Sequence, residues 1–165
     1  MKRISVIILC LMSWAARAGE PVILTITGNI EKDGHHYEQV EYTLSQLQAL
    51  PQKEMLILHP WSRQFHTYKG PDLSVLLQTL FAGERIKTIY LQALNGFSVA
   101  ANWQELSPYH PILAWSEDEK VMSRRGKGPL WLMLPYDTLP EVQQAEFLHY
   151  MTWQLNHITV RTEPQ

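Results

Sequence analysis

The chain has 165 residues, of which 14 are Lys or Arg and 16 are Asp or Glu, giving a formal net charge of −2 at pH 7. Its length and its 45% hydrophobic content are enough for a domain with its own core and no disulfide staples. The acidic balance argues against a general nucleic-acid binder, because affinity for a phosphate backbone needs a basic face, but it leaves room for a small anionic ligand.

The first eighteen residues read as a secretory signal peptide. Lys2 and Arg3 give a positive start, Ile4 to Trp14 is apolar apart from Ser5 and Ser13, and Ala16-Arg17-Ala18 is a small-x-small cleavage site. The apolar run is shorter than the ~20 residues a membrane span needs. No later stretch reaches that length, since Asp137 directly follows Leu130 to Tyr136. The expectation is a soluble mature chain, residues 19–165, beginning at Gly19 and without a membrane anchor. The only cysteine, Cys10, lies in the signal segment behind Leu9, which does not suit a lipid-attachment site. The mature chain is therefore expected to offer no thiolate for metal binding, nucleophilic attack or disulfides. Removing Lys2, Arg3 and Arg17 from 14 basic residues leaves 11 against 16 acidic ones, a net charge of about −5.

Residues 21–43 predict a hairpin, with β-branched "PVILTITGNI" returning through the Asp33-Gly34 turn to "QVEYT". "TLSQLQALP" predicts a short helix capped by Thr43, with Leu44, Leu47 and Leu50 on one face and Pro51 as its stop. "EMLILHP" and "RQFHTYKG" predict strands over 54–60 and 63–70. "DLSVLLQTLFAG" has helical spacing and ends at Gly83. "RIKTIYLQAL" predicts a strand, Asn95-Gly96 a tight turn, "FSVAA" a short strand and "NWQEL" one helical turn capped by Asn102. "PILAWSEDEKVMS" then predicts a hairpin over an acidic turn and "GPLWLMLPY" a buried strand, followed by a helix over "LPEVQQAEFLHY" and a closing strand over "TWQLNHITVRT". The sum is an α+β fold with a mixed, mostly antiparallel sheet and short peripheral helices.

Candidate chemistry is sparse. The seven histidines form neither a helical His-x-x-x-His pair nor a Cys/His pattern, so no metal site is expected. There is no Gly-x-Ser-x-Gly elbow, and no serine that the sequence alone pairs with a base. Trp103, Trp115, Trp131 and Trp153 are expected in the core. Trp61 follows His59-Pro60 and precedes Ser62-Arg63, so it is either a stacking platform for a planar ligand or plain packing. In "SRRGKGPLW", Gly126 and Gly128 allow unusual backbone positions and Pro129 fixes the entry to the strand. The loop amides could then point toward a guest, or the loop could be a solvated basic turn beside "SEDEK".

Four motifs in order, "GPDLSVLL", Asn95-Gly96-Phe97-Ser98, Arg125-to-Trp131 ("RGKGPLW") and Trp153-Gln154-Leu155, carry a family resemblance. Across essentially the whole mature chain, the sequence resembles the oxidoreductase molybdopterin-binding domain, the sulfite-oxidase fold. More narrowly, it is similar to small periplasmic PruR-like pterin-binding proteins. In the catalytic branch of that fold a cysteine thiolate after an early strand holds molybdenum. The matching region here is "LILHPWSR", with His59 near the thiolate position, and imidazole is no equivalent of a soft anionic ligand. The resemblance therefore implies a retained pocket for a reduced pterin, with no molybdenum and no catalysis. It also implies a partner, the periplasmic sensory domain of an inner-membrane enzyme of cyclic di-GMP metabolism.

A pterin is a flat ring with a donor-acceptor edge, and it needs a face to stack on and fixed polar groups for that edge. On the resemblance, Arg125 contacts a ring acceptor, Trp61 gives the face, and Asn95 offers donor and acceptor unless it serves only the turn. His59, Gly126, Gly128 and Trp131 complete the expected ligand-binding set, with Trp131 and Trp153 mainly in the core beneath and Lys127 exposed. The alternatives are a molybdenum-cofactor oxidoreductase with unusual or lost metal ligation, and an interaction domain without a small ligand.

Overall fold

The computed structural model describes residues 19–163, so residues 1–18, the segment read as a signal peptide, lie outside it. In chain order the elements are β1 (Val22–Lys32), β2 (His35–Thr43), α1 (Leu44–Gln48), β3 (Gln52–Ile57), β4 (His66–Pro71) and α2 (Leu73–Leu80). Then come β5 (Arg85–Ala93), β6 (Ser98–Asn102), α3 (Trp103–Leu106), β7 (Ile112–Ala114), β8 (Ser116–Glu117), β9 (Lys120–Val121), β10 (Trp131–Met133), α4 (Glu141–Tyr150) and β11 (Leu155–Glu163).

The strands form a five-stranded sheet in the order β2-β1-β11-β5-β6, a four-stranded sheet β3-β4-β8-β9, and the pair β10-β7. Among the described residues only the β1 to β11 pairing is parallel, with Thr25 opposite His157 and Thr27 opposite Thr159. The first and last strands of the described residues thus lie side by side inside the large sheet. Alternation puts Leu24 and Ile26 of β1, Ile89 and Leu91 of β5, and Ile158 and Val160 of β11 in the core. Leu73, Leu76, Leu77 and Leu80 of α2 are buried in the same core, against β1. This is the α+β, mostly antiparallel arrangement that the sequence predicts.

Local signals explain most element boundaries. Asp33 and Gly34 both have positive φ, 52° and 74°, as a two-residue hairpin turn between right-twisted strands requires. Thr43 accepts from the Gln46 N–H while the Gln46 side chain accepts from the Thr43 N–H, a reciprocal capping box that starts α1. Asp72 caps α2, and Asn102 caps α3 as the sequence predicts.

The differences concentrate in one part of the molecule. The strand expected over 54–60 ends at Ile57, and the one expected over 63–70 begins only at His66. Between them Pro60 offers no N–H to a sheet, and the Ser62 N–H closes a turn on the His59 carbonyl at 3.0 Å. The closing strand begins at Leu155 rather than at residue 152, because Gln154 takes a left-handed φ of 52°. The hairpin expected over 111–123 splits: β8 and β9 pair over Asp118-Glu119, while Ile112–Ala114 leaves to pair with β10. Each of these breaks ends at the same cluster of aromatic side chains.

Gly70 shows how tightly the small sheets meet. A methyl group there would overlap the backbone carbonyl of Leu113, which cannot swing aside as a side chain would. Gly70→Ala is expected to cost at least ~3 kcal/mol, or to abolish folding. Urea denaturation followed by tryptophan fluorescence measures this.

Candidate functional site

Trp131, on β10, is fully buried, and its indole N–H donates to the Met151 carbonyl at 2.9 Å. Its ring is the hub of a cluster. The ring centres of His59, Tyr68, Trp61 and Trp153 lie 5.2, 5.4, 5.9 and 6.1 Å from it, all tilted or edge-on. Trp61 and Trp153 also meet each other edge-to-face, at 5.3 Å and 80°. Such pairs are worth ~0.5 to 1.5 kcal/mol each beyond area burial. Trp131 therefore lies in the core, as expected. Trp153 does not: it is 36% exposed and shares the surface with Trp61, which is 41% exposed.

His59 follows β3 and is 2% exposed. Its Nε2 lies 2.7 Å from the Tyr68 hydroxyl, which donates at 2.7 Å to Glu117 Oε1. A carboxylate can only accept, so the tyrosine proton goes to Glu117 and the hydroxyl must accept from His59 Nε2–H. The lone pair is then on Nδ1, a buried atom with no hydrogen-bond partner. An orphaned buried acceptor is uncommon and marks a position where a ligand donor would be welcome. Burial first, then the positive charge of Lys127, lowers the pKa of His59. Burial and the bond to Glu117 push the Tyr68 hydroxyl far up.

The basic loop between β9 and β10 is built differently from its sequence expectation. The Gly126 and Gly128 N–H groups both donate to the Ser123 carbonyl, at 3.0 and 2.9 Å, so they close the turn and do not point toward a guest. Neither glycine has the left-handed φ that would demand glycine. Gly128 is needed for another reason, because a side chain there would overlap the Met122 carbonyl, whereas Gly126 has room for one. Gln154 holds the loop from below: its side-chain amide donates to the Arg124 and Gly126 carbonyls at 3.2 and 2.9 Å, and its N–H to the Lys127 carbonyl at 2.8 Å. This is the physical content of the Trp153-Gln154-Leu155 motif.

Of the loop's cations, Lys127 reaches the rings. Its Nζ lies 4.3 Å from the Trp131 ring centre and 3.9 Å from Glu117 Oε1, and the side chain is 35% exposed. The expectation that Lys127 is simply exposed is therefore corrected. Arg125 is exposed and makes no hydrogen bond or ion pair among the described residues. The motif does not say which neighbouring side chain turns inward.

Beside Trp61 and Trp153 opens a cleft of about 210 Å³, lined also by Asn95, Phe97, Leu148, His149, Met151 and Thr152. Asn95 holds its turn and also lines the cleft. Its Oδ1 accepts from the Phe97 N–H at 3.0 Å, holding the turn, while the residue lines the cleft wall with its amide Nδ2 left over. Drug-sized ligands occupy pockets of ~300 to 1,000 Å³, so this cleft suits a single bicyclic ring better than a ring with a long tail. Among the described residues no group of three His, Cys, Asp or Glu side chains is placed to hold a metal. At the position that the sequence resemblance sets near a metal-binding thiolate, the side chain is the imidazole of His59. A planar heterocycle fits these residues. Molybdenum bound through a protein thiolate does not.

Sequence comparison gives no identification: no protein-family model and no curated protein matches the chain. Structural comparison does find a likeness, to the sulfane dehydrogenase SoxCD from Paracoccus pantotrophus, with a TM-score of 0.58 at 14% identity. The match covers 84% of this chain and 38% of that chain. At that identity the likeness is one of fold, and it agrees with the sulfite-oxidase-type fold that the sequence motifs implied.

A pH dependence follows from His59. Its folded-state pKa lies below the ordinary histidine value of ~6.5, so the unfolded chain binds the proton more readily. The associated stability is complete above that value and is lost as pH falls from it through the folded pKa. The urea midpoint is expected to drop between pH 7 and pH 5, and His59→Gln, which cannot titrate, is expected to flatten that drop.

Proposed function

We propose that this protein binds a reduced pterin in the cleft beside Trp61 and Trp153 and acts as a regulatory module that does no chemistry on that ligand. The observation that carries this reading is the pair of half-exposed indoles, Trp61 and Trp153, at one small cleft whose wall also holds the Asn95 amide; His59 and Lys127 pack against Trp131 and do not line that cleft. The indoles offer faces and edges to a conjugated ring. A pterin's oxo group is an acceptor that suits the Asn95 amide in the cleft wall, and the sequence resemblance brings Arg125 to the ring edge as a further donor.

In this reading the protein is exported to the periplasm and reports pterin occupancy to the sensory domain of an inner-membrane cyclic di-GMP enzyme. Support for a protein contact at the cleft comes from its rim: Phe97 and Leu94 are exposed beside Trp61 and Trp153, an apolar grouping of the kind that marks interaction sites. Occupancy and partner affinity must then be coupled reciprocally, by ~1 to 3 kcal/mol.

A second reading, a molybdenum-cofactor oxidoreductase relative, is favoured by the likeness of fold to a dehydrogenase. The donor chemistry at His59 weighs against it. Stoichiometric molybdenum in protein purified from its native periplasm would decide for it.

Isothermal titration with dihydrobiopterin tests the primary reading. Trp153→Ala is expected to lower affinity by ~1 to 3 kcal/mol, the usual worth of a heterocycle stacked on an aromatic side chain. Arg125→Ala is expected to lower it by ~1.5 to 3 kcal/mol if the guanidinium donates to the bound ring. Unchanged binding in both variants contradicts the assignment of the cleft.

A further inference from the structure

Three side chains outside the pterin reading stand in a different chemical relation. Ser62, in the loop after β3, places its Oγ 2.8 Å from Nε2 of His66, the first residue of β4. On the far side of the ring, His66 Nδ1 is 2.6 Å from Oδ2 of Asp118, in the turn between β8 and β9. The Thr67 N–H donates to the other oxygen of Asp118 at 2.9 Å and fixes the carboxylate.

The proton positions follow from the partners. Asp118 can only accept, so His66 carries its proton on Nδ1 and presents a lone pair at Nε2. That lone pair faces the Ser62 hydroxyl, which can donate to it or to the Gln64 carbonyl at 3.1 Å. The Gln64 N–H donates to Ser62 Oγ at 3.2 Å and holds the oxygen in place. The His66 ring is stacked on that of His59 at 6.3 Å and 21°, which restrains its rotation.

We propose that Ser62, His66 and Asp118 act as nucleophile, general base and orienting carboxylate for the hydrolysis of small esters with an apolar or aromatic group. The relation is a nucleophile within hydrogen-bond reach of a base that is itself oriented by a third group. It is reachable from solvent, since the side chains of His66 and Asp118 are 24% and 52% exposed. Trp61 and Phe65, both exposed, flank Ser62 in the chain and offer apolar surface to the substrate. Arg63 follows the nucleophile directly. Its N–H and guanidinium have no hydrogen-bond or ion-pair partner among the described residues, leaving them available to an oxyanion.

The chemistry balances without a cofactor. Ser62 Oγ bonds to the ester carbonyl carbon as its proton moves to His66 Nε2. The carbon-oxygen bond to the leaving alcohol then breaks, and that alcohol takes the proton. Solvent water next attacks the acyl-serine, gives a proton to His66, and releases the carboxylic acid as the proton returns to Ser62 Oγ.

The full mature protein should be treated with a fluorophosphonate probe and, separately, with p-nitrophenyl acetate. A covalent adduct is expected on Ser62, located by peptide mass mapping, together with ester turnover. Ser62→Ala should abolish both. His66→Gln should slow labelling at least about 100-fold, the usual share of a general base, and Asp118→Asn at least about tenfold, with circular dichroism unchanged. Absence of an adduct on Ser62 in the folded parent protein overturns the proposal, as does labelling that persists undiminished in folded His66→Gln. Neither readout involves a pterin, so failure here leaves the pterin reading standing.

Discussion

The structure depends on the burial of one indole. Trp131 is the point where the β7-β10 pair, the loop after β3, strand β4 and the segment leading into β11 all meet, and its ring can be dry only if each supplies a wall. His59, Tyr68, Trp61 and Trp153 are those walls, and the Met151 carbonyl satisfies the one polar atom of the ring. An indole buried with its N–H paired is strongly stabilising, and the same N–H left unpaired would cost a kcal/mol or more. That constraint explains why the regular strands stop short here. The chain leaves its sheets at Ile57, at Trp115 and before Leu155 to close around one side chain, and those departures make the cleft.

The polar parts of the site follow from the same packing. Tyr68 lies wholly in the core and its hydroxyl must be satisfied there, so it bridges His59 and Glu117. Glu117 in turn holds Lys127 near the Trp131 ring. A cation over an indole face gains ~0.5 to 2 kcal/mol according to its desolvation, and here it also sets the charge that His59 feels. Gln154 completes the arrangement by fastening the basic loop through its carbonyls, which leaves the loop's side chains, not its amides, as the groups facing outward. The charge in "SRRGKGPLW" therefore has divided uses: one cation packs on the buried indole while its neighbours remain in solvent.

Much of the fold is legible in the sequence because its signals are local. Thr43 and Asn102 announce helix starts, and Asp33-Gly34 announces a hairpin. Alternation in "RIKTIYLQA" announces a half-buried strand. The site is less legible because its contacts are distant in sequence. Nothing in the neighbourhood of Trp153 says that it meets Trp61 rather than the core, and nothing around Lys127 says that it turns inward while Arg125 does not. Gln154 could be read as part of a motif, but its role as a latch depends on carbonyls 28 and 30 residues away. Likewise, the pairing of Ser62 and His66 with Asp118 spans 52 residues between the histidine and the carboxylate, and a scan for local nucleophile motifs passes over it.

The central claim is that the tryptophan cleft holds a pterin in the living cell. The most direct measurement is to purify the protein from its native host without added ligand, denature it, oxidise the supernatant mildly and record pterin fluorescence. The account predicts about one equivalent of a fluorescent pterin per chain, and much less from a folded Trp153→Ala variant prepared in parallel. A folded parent protein that releases no pterin, or a variant that releases as much as the parent, would contradict it.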